Sequence, residues 1–331
     1  MRTINCLAAV AICAAVLGPL HGARAQVVTL PTINASDVIP GLDQIADRRI
    51  RNLVVQNQLM RILLGSYEQI NCTNTCISAF GALGSFSAGV HGRKYLTDRL
   101  SVLGGVSINN FGSGSVETKQ ALIAALGLRY DFVDWGSSRP FFEIGASVAP
   151  TGRSTLVRRY TLAGVARQAT ATANSKSYMA YMRAGWVKRL TPRDEFSVFV
   201  GVARQWQTTG TAREAAGAGN PFPAVFLGGT DRINVARFTM QHVRLLSRRV
   251  EVQGNVAIAH SFGAKSGVKV AVAPLGLFQP AVVSKTWLEY GARVGFRVNR
   301  RVTIDMFVVG ASGPKPVGNT AHGGIGVRAV F

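Results

Sequence analysis

The sequence WLEYGARVGFRV, residues 287–298, alternates strictly between two kinds of side chain. One set is apolar throughout: Leu288, Tyr290, Ala292, Val294, Phe296 and Val298. The other set holds charged residues and glycines: Glu289, Gly291, Arg293, Gly295 and Arg297. A period of two is the repeat of a β-strand, because successive side chains of a strand point to opposite faces. The stretch therefore predicts a strand that lies between an apolar medium and a polar one.

The alternation returns twice before the chain ends, from Val302 to Val308 and from Ile325 to Phe331. The last strand resembles the C-terminal signature of Gram-negative outer-membrane β-barrels, in which alternate apolar residues end at a terminal Phe, here Phe331. Ala329 departs from that signature, because an aromatic residue is common at its position. The resemblance implies contact with outer-membrane lipid and assembly by the barrel-assembly machinery, for which Phe331 would be the signal.

The first 25 residues have the three regions of a secretory signal peptide. Arg2 forms the basic region, residues 7–17 are apolar, and Ala23-Arg24-Ala25 is a small-x-small cleavage site. We expect the mature chain to start at Gln26. No later segment has 18 consecutive apolar residues, so no membrane helix is predicted, although 47% of the chain is hydrophobic and only 16% is charged. Both facts suit a transmembrane barrel, whose strands hide their apolar character in alternation.

Two cysteines, Cys72 and Cys76, remain after removal of the signal peptide. An exported protein enters an oxidising compartment, so we predict a disulfide between them that closes a short loop. A metal site would need further ligands, and no His or second Cys pair stands near. We predict neither a metal nor a cofactor.

The formal net charge is +21. Such an excess can indicate nucleic acid as a partner, but an exported protein seldom meets nucleic acid. Anionic lipid headgroups, a phosphate-rich surface glycolipid or an anion-selective lumen fit the compartment better.

A helical pattern covers residues 36–64, with apolar residues at steps of three and four and several arginines. The helix either threads the barrel or packs on its periplasmic base, and the sequence leaves both positions open. From residue 77 onward, eleven strand segments, the first at 77–92, alternate with short polar connections and with longer ones near 112–118, 151–175, 208–232, 262–284 and 312–319.

A bacterial barrel usually has an even number of strands, so we expect a twelfth near residues 60–70. The predicted fold is an all-β, closed antiparallel transmembrane β-barrel of about 12 strands with one N-terminal amphipathic helix. The predicted division is a signal peptide at 1–25, a linker and helix at 26–58, and the barrel at 59–331.

Twelve strands after a helix, with a glycine-rich hairpin over residues 84–107, resemble the translocator domain of autotransporters. That family exports a passenger domain. Barely a dozen residues separate the signal peptide from the helix here, so the resemblance predicts a barrel without a passenger.

Several charged residues lie in the inward phase of the predicted strands: Arg183, Glu289, Arg293, Arg297, Asp305 and Arg328. Keeping Phe296 and Val302 both outward requires a three-residue turn, which sets Asp305 opposite Gly295. Asp305 is then diagonal to Arg293 and Arg297. We predict a lumenal charge cluster that either holds the barrel rigid or forms a constriction favouring anions.

The predicted surface loop 151–175, with the adjoining Lys176, is basic and has no acid. Its basic residues are Arg153, Arg158, Arg159, Arg167 and Lys176. They either pair with phosphates of an anionic glycolipid or are simply solvated.

Catalysis is not predicted. His260 and Ser261 are the only adjacent pair that suggests a base and a nucleophile, and neighbours in a strand point to opposite faces. We predict a passive role, as a narrow anion-biased pore or as a membrane-integrity protein that contacts anionic glycolipid. The alternative is a surface adhesin or receptor that binds through its long basic loops. The sequence leaves the oligomeric state open.

Overall fold

The computed structural model describes residues 33–64, 75–83, 87–217, 219–273, 275–279 and 284–331. The predicted signal peptide and Cys72 lie outside these residues, so cleavage at residue 25 and the Cys72–Cys76 disulfide stay predictions. The helix is α1 (Ala35–Leu63). The strands are β1 (Thr75–Leu83), β2 (Ser87–Tyr95), β3 (Leu100–Ser113), β4 (Val116–Asp131), β5 (Ser138–Leu162), β6 (Val165–Thr191), β7 (Asp194–Thr209), β8 (Ala212–Arg213), β9 (Ala224–Leu227), β10 (Gly229–Leu245), β11 (Val250–Lys265), β12 (Lys269–Val272), β13 (Gly276–Phe278), β14 (Thr286–Arg297), β15 (Val302–Ser312) and β16 (Thr320–Val330).

Twelve of these strands close into an antiparallel barrel, in the order β1-β16-β15-β14-β11-β10-β7-β6-β5-β4-β3-β2. β16 closes the ring by pairing with β1 from Cys76 opposite Val330 to Leu83 opposite Gly323. The predicted fold class is confirmed.

The twelfth strand is not where the sequence suggested. The segment predicted as one strand, 77–92, divides into β1 and β2, with Ala82 opposite Ser87. α1 continues to Leu63, so residues 60–63 are helical and the predicted boundary at residue 58 falls inside the helix. The chain reverses direction between β1 and β2. The residues near this reversal are mostly small, so the sequence pattern did not reveal that one strand ends and another begins there.

The faces of the strands follow the predicted phase. Leu288 and Phe296 are 45% and 42% exposed on the outside of the barrel, whereas Glu289 and Arg293 are 1% and 5% exposed. Most large apolar side chains on the outward faces are likewise exposed, and together they form an apolar band around the wall. Among the described residues, no helix has both the length and the apolar character that a membrane crossing requires.

The two ends of the barrel differ. At one end, which we call the short-turn end, brief connections such as 96–99, 192–193 and 298–301 join the strands. At the other end β5 and β6 continue past the barrel as a hairpin over residues 151–175, where a loop was predicted. Strands β8, β9, β12 and β13 form a second sheet there. We call this hairpin and sheet the cap, and this end the cap end.

The tip of the β5–β6 hairpin explains the wrong loop prediction. Ala163 and Gly164 form its two-residue turn, with φ angles of 49° and 76°. Such a turn requires positive φ at both positions and usually carries Asn-Gly or Asp-Gly. An alanine in the first position gave no turn signal, so the flanking strands were not recognised.

Candidate functional site

The helix α1 lies inside the barrel. Asn34 and Asp37 form a capping box at its start, in which the backbone N–H of Asn34 donates to the Asp37 carboxylate at 3.1 Å. The start of the helix keeps one exposed face, but from residue 49 to residue 63 nearly every residue is buried on whichever side of the helix it lies, which excludes a solvated face for that part. Of the two positions that the sequence left open, the structure therefore has the helix in the lumen.

Apolar contacts surround the helix. Ile50, Leu53 and Val54 pack with β10, β11, β14 and β15. Residues from Val55 to Leu64 pack with β1, β3, β4, β5, β6, β7 and β15. The helix meets apolar inward-facing residues from most of the wall, which stabilise its position through burial of apolar surface.

Two ion pairs tie the helix to the wall. The Arg49 guanidinium donates to the Asp231 carboxylate of β10 at 2.7 Å, and both side chains are almost fully buried. Arg61 donates to Glu289 of β14 at 2.8 Å. Charge-assisted hydrogen bonds of this kind are about twice as strong as neutral ones.

Glu289 accepts hydrogen bonds from three different side chains. Besides Arg61, it accepts two hydrogen bonds from Arg237 at 2.9 and 3.0 Å and one from the Trp287 indole at 2.9 Å. The site therefore joins the helix to β10 and β14. The sequence placed Glu289 in the lumen but gave no sign of Arg61 or Arg237 as its partners.

A second cluster contains three of the predicted residues. Asp305 faces Gly295 in the register of β14 and β15, as predicted. Its carboxylate lies 3.1 Å from Arg293 and 3.4 Å from Arg328. Glu251 contacts the same two arginines and completes the cluster.

Two other predicted residues lie apart from this cluster. Arg297 is half-buried near the short-turn end and makes no ion pair with any residue that the structure describes. Arg183 pairs instead with Glu143 at 2.7 Å, and the Tyr181 hydroxyl donates to the same carboxylate at 2.8 Å. The residues of the predicted single cluster are thus divided among four places on the wall: the Glu289 site, the Arg293–Asp305–Arg328 cluster, the Arg183–Glu143 pair and Arg297.

The short-turn end holds a further charged group and a cavity. Asp131 accepts from Arg129 at 2.7 Å and lies 3.5 Å from Arg93. These three residues line a cavity of about 1070 Å³, together with residues of the turns. The lining carries charges of both signs, including Arg189 and Glu195, and so favours neither anions nor cations.

The cap has its own apolar core. Val38 and Leu42 at the start of the helix pack with residues of the β5–β6 hairpin and of β9 and β12, among them Leu156, Phe226 and Val270. This core joins the start of the helix to the cap.

Arg158 corrects the prediction of a basic surface loop. Its side chain is fully buried, where it binds Glu214 through two hydrogen bonds of 2.6 and 2.9 Å and stacks on Tyr160 at 4.2 Å. Burial also raises the pKa of the Tyr160 phenol above its ordinary value.

Most of the other basic residues of that segment lie on the opposite, exposed face of the hairpin. Arg153, Arg159 and Lys176 are exposed, and Arg167 is half-buried. The five residues therefore lie on the two faces of a hairpin and do not form one loop surface.

His260 and Ser261 point to opposite faces, as expected. His260 is exposed and its ring lies 2.8 Å from the Thr286 hydroxyl, whereas Ser261 is buried and bonded to the backbone of Lys285. No group of three or more potential metal ligands occurs within the described ranges.

Comparison with solved structures identifies the fold. The translocator domain of the autotransporter NalP from Neisseria meningitidis matches with a TM-score of 0.62 and 12% sequence identity, over 90% of this chain and 100% of that domain. The barrel shares its fold with an autotransporter translocator domain. At 12% identity the likeness establishes the fold and nothing about activity.

Two further structures are more distant. The transport unit of the autotransporter AIDA-I from Escherichia coli has a TM-score of 0.48 at 10% identity, over 88% of this chain and 98% of that one. The monoaromatic hydrocarbon channel CymD has a TM-score of 0.49 at 9% identity, over 78% and 87%. No family model matches the sequence, and no curated protein matches it.

Proposed function

We propose that this protein is an integral outer-membrane barrel, sealed by its own helix, that supports membrane integrity and contacts anionic glycolipid at its outer rim. The exposed apolar band around the wall supports placement in lipid, because hydrocarbon is the medium in which such a surface is stable. The short-turn end would then face the periplasm and the cap the cell surface.

The observation that carries the proposal is the buried helix. Its ion pairs to Asp231 and Glu289 and its apolar contacts fix it in the lumen at the level where an open pore would need free space. Breaking a buried ion pair of this kind costs about 3–5 kcal/mol. The helix therefore stabilises a closed barrel in preference to a conducting one.

A narrow anion-biased pore has weaker support. The predicted excess of inward arginines is largely offset, because Arg183, Arg293 and Arg328 each lie against an acid. Selectivity for anions requires charge that the wall has not already neutralised. A pore role would also require the helix to leave the lumen.

Surface binding is the second candidate, and the cap favours it. The cap is a folded unit with an apolar core and a buried Arg158–Glu214 pair. Closure of the barrel does not require such a unit, which favours a separate role for it. Exposed basic residues such as Arg159 on this unit would suit an acidic partner. An adhesin or receptor role would use this surface.

Assembly is proposed to depend on the last residue. Phe331 is 64% exposed, and its amide donates to the Thr75 carbonyl at 2.9 Å, where the ring of strands closes. An exposed C-terminal aromatic at the seam is what the barrel-assembly machinery would recognise.

Protease treatment of the folded mature protein in detergent tests the sealed barrel. We expect residues 35–63 to survive intact while exposed segments are cut, because a helix inside the wall is shielded. Rapid cleavage within the helix, in protein whose barrel remains folded, would contradict the proposal.

A further inference from the structure

Two basic side chains, Arg232 of β10 and Lys265 of β11, are direct register partners on the outward face near the cap end. Both are exposed, and neither makes an ion pair with another residue in the part of the chain that the structure describes. Like charges directly opposite each other on neighbouring strands destabilise a sheet. The wall therefore carries a local repulsion at this point.

A β-bulge creates this pairing. Asn234 faces Phe262, whereas Arg232, two residues earlier, faces Lys265, three residues later, so β11 contains one extra residue. Gly263, with φ of 59°, adopts the left-handed conformation that such a bulge uses. Without the extra residue Arg232 would face Ala264. Bulges re-aim side chains and are over-represented beside functional sites.

Positive charge and aromatic rings extend across the neighbouring strand. Trp206 of β7 is the register partner of Arg232 on the other side. The Arg204 guanidinium lies 5.2 Å from the Trp206 ring centre, and Phe262 is 43% exposed beside them. Arg204, Trp206, Arg232, Phe262 and Lys265 form one outward surface, which we call the rim patch.

The acid nearest in sequence does not neutralise the rim patch. Asp231 faces the interior, where it accepts hydrogen bonds from Arg49 at 2.7 Å and from the Gly267 amide at 3.0 Å. Its negative charge is neutralised by Arg49 of the helix. The three cations of the rim patch are thus left to face an external anion.

An apolar groove adjoins the rim patch on the same outward face, toward the short-turn end, and extends from β11, β10 and β7 to β6 and β5. The cavity has a volume of about 490 Å³. Its lining is predominantly apolar and includes Phe142, Met182, Val202, Phe238 and Ile258. Val202 and Arg204 are two residues apart on β7, so the groove and the rim patch are continuous.

We propose that the rim patch binds the phosphate of an acylated, phosphorylated glycolipid of the outer leaflet, with an acyl chain of the same molecule in the groove. A phosphate between Arg232 and Lys265 replaces their repulsion with charge-assisted hydrogen bonds, to which the arginine contributes in bidentate fashion. Trp206 and Phe262 lie where aromatic rings are favoured, at the membrane–water interface. The proposal rests on the proposed function, because it requires this wall to face the outer leaflet.

Binding is to be measured by native mass spectrometry on the full mature chain, folded in detergent. The probe is bisphosphorylated lipid A, and the matched lipid is the same lipid A after removal of its phosphates. We expect the phosphorylated lipid to bind about tenfold more tightly or better. Equal affinity for the two lipids would overturn the proposal, as would displacement of lipid A by an equal concentration of inorganic phosphate.

The double variant Arg232→Gln/Lys265→Gln is expected to weaken lipid A binding by about tenfold or more. Its control is Lys94→Gln/Lys188→Gln, which removes two exposed outward cations near the short-turn end. The control should bind lipid A as the parent does. Equal losses in both double variants would mean that total charge, and not the rim patch, is responsible.

A single substitution separates binding from folding. Lys265→Glu places an acid opposite Arg232, so we expect a higher unfolding midpoint in lipid-free detergent together with weaker lipid A binding. Lys188→Glu is the matched control, because its register partner is Phe196, and neither quantity should change. A Lys265→Glu variant that binds lipid A as the parent does would contradict the proposal.

The lipid-binding measurements do not depend on whether the helix closes the barrel. If the helix were protease-sensitive, the proposed closed barrel would fail while lipid selectivity persisted. If lipid selectivity were absent, the rim patch would have no such ligand, and a protected helix would still support the closed barrel.

Discussion

Arg61 in the lumenal helix donates a hydrogen bond to Glu289 in the barrel wall at 2.8 Å, and Glu289 is only 1% exposed. The same carboxylate binds Arg237 from a strand that is not adjacent to its own. One buried acid thus connects the helix with two separate parts of the wall. Loss of this acid should therefore weaken the attachment of the helix to the wall more than loss of any exposed ion pair.

Replacing Glu289 with Gln should therefore loosen the helix. Two partly buried arginines would lose the buried carboxylate that they share, at a cost of about 3 kcal/mol. We expect faster protease cleavage within residues 35–63 of the folded protein. The control is Asp134→Asn, which breaks the exposed Asp134–Arg139 pair at 2.9 Å and should cost about 0–1 kcal/mol. Equal cleavage rates in the two variants would show that Glu289 does not hold the helix.

The neighbouring residues Arg158 and Arg159 offer a test of the cap. Arg158→Ala leaves the Glu214 carboxylate buried without its counter-charge, so we expect about 3–5 kcal/mol of local destabilisation. Hydrogen exchange of the cap strands should accelerate, while exchange of the barrel stays slow. Arg159→Ala removes an exposed side chain one residue away and should leave exchange unchanged. If Arg158→Ala also left exchange unchanged, the cap would not depend on the buried pair.

Gly41 tests how closely the helix fits beneath the cap. A Cβ atom at this position would lie 2.0 Å from the backbone carbonyl oxygen of Arg159. Alanine improves helix propensity by about 1 kcal/mol, but overpacking costs about 1–3 kcal/mol and here meets backbone. We therefore expect Gly41→Ala to speed hydrogen exchange at the start of α1.

The matched control for Gly41 is Gly254→Ala. No described atom lies within 4 Å of the Cβ position at Gly254, so exchange should not change. Slower exchange at the start of α1 in Gly41→Ala would mean that helix propensity outweighs the contact with Arg159.

The Arg293–Asp305 pair tests the second cluster. Asp305→Asn removes one of two acids that face Arg293 and Arg328, so we expect the free energy of unfolding to fall by about 3 kcal/mol. Chemical denaturation followed by tryptophan fluorescence measures this. Asp98→Asn, in an exposed turn, is the control and should change stability by less than about 0.5 kcal/mol. A similarly small loss in Asp305→Asn would make the cluster unimportant for stability.

The sequence predicts local features of this barrel well. The opposition of Gly295 and Asp305 followed from a period of two and the length of one turn, and both are properties of adjacent residues. The outward exposure of Leu288 and Phe296 followed from the same period. The predicted number of strands was right, but the position of the twelfth strand was wrong. It arises because the segment predicted as one strand is divided into β1, which ends at Leu83, and β2, which begins at Ser87.

Long-range partners escaped prediction for a physical reason. Arg158 and Arg159 are adjacent residues of the same type, and the period of two implies only that they face opposite sides of the hairpin. Which of the two sides is covered depends on distant residues, among them Glu214, which binds Arg158. The pairing of Glu289 with Arg61 and Arg237 depends on where the helix lies in the lumen and on the curvature of the wall. From residue 49 onward the helix buries both apolar and polar residues on all sides, so this part has no single apolar face from which its position could be deduced.

Single-channel recording in planar lipid bilayers tests the central claim most directly. The intact mature chain should insert without sustained conductance, and a variant lacking residues 35–63 should conduct steadily, because the helix occupies the lumen. Steady conductance from the intact chain, equal to that of the helix-deleted variant, would contradict a barrel sealed by its own helix.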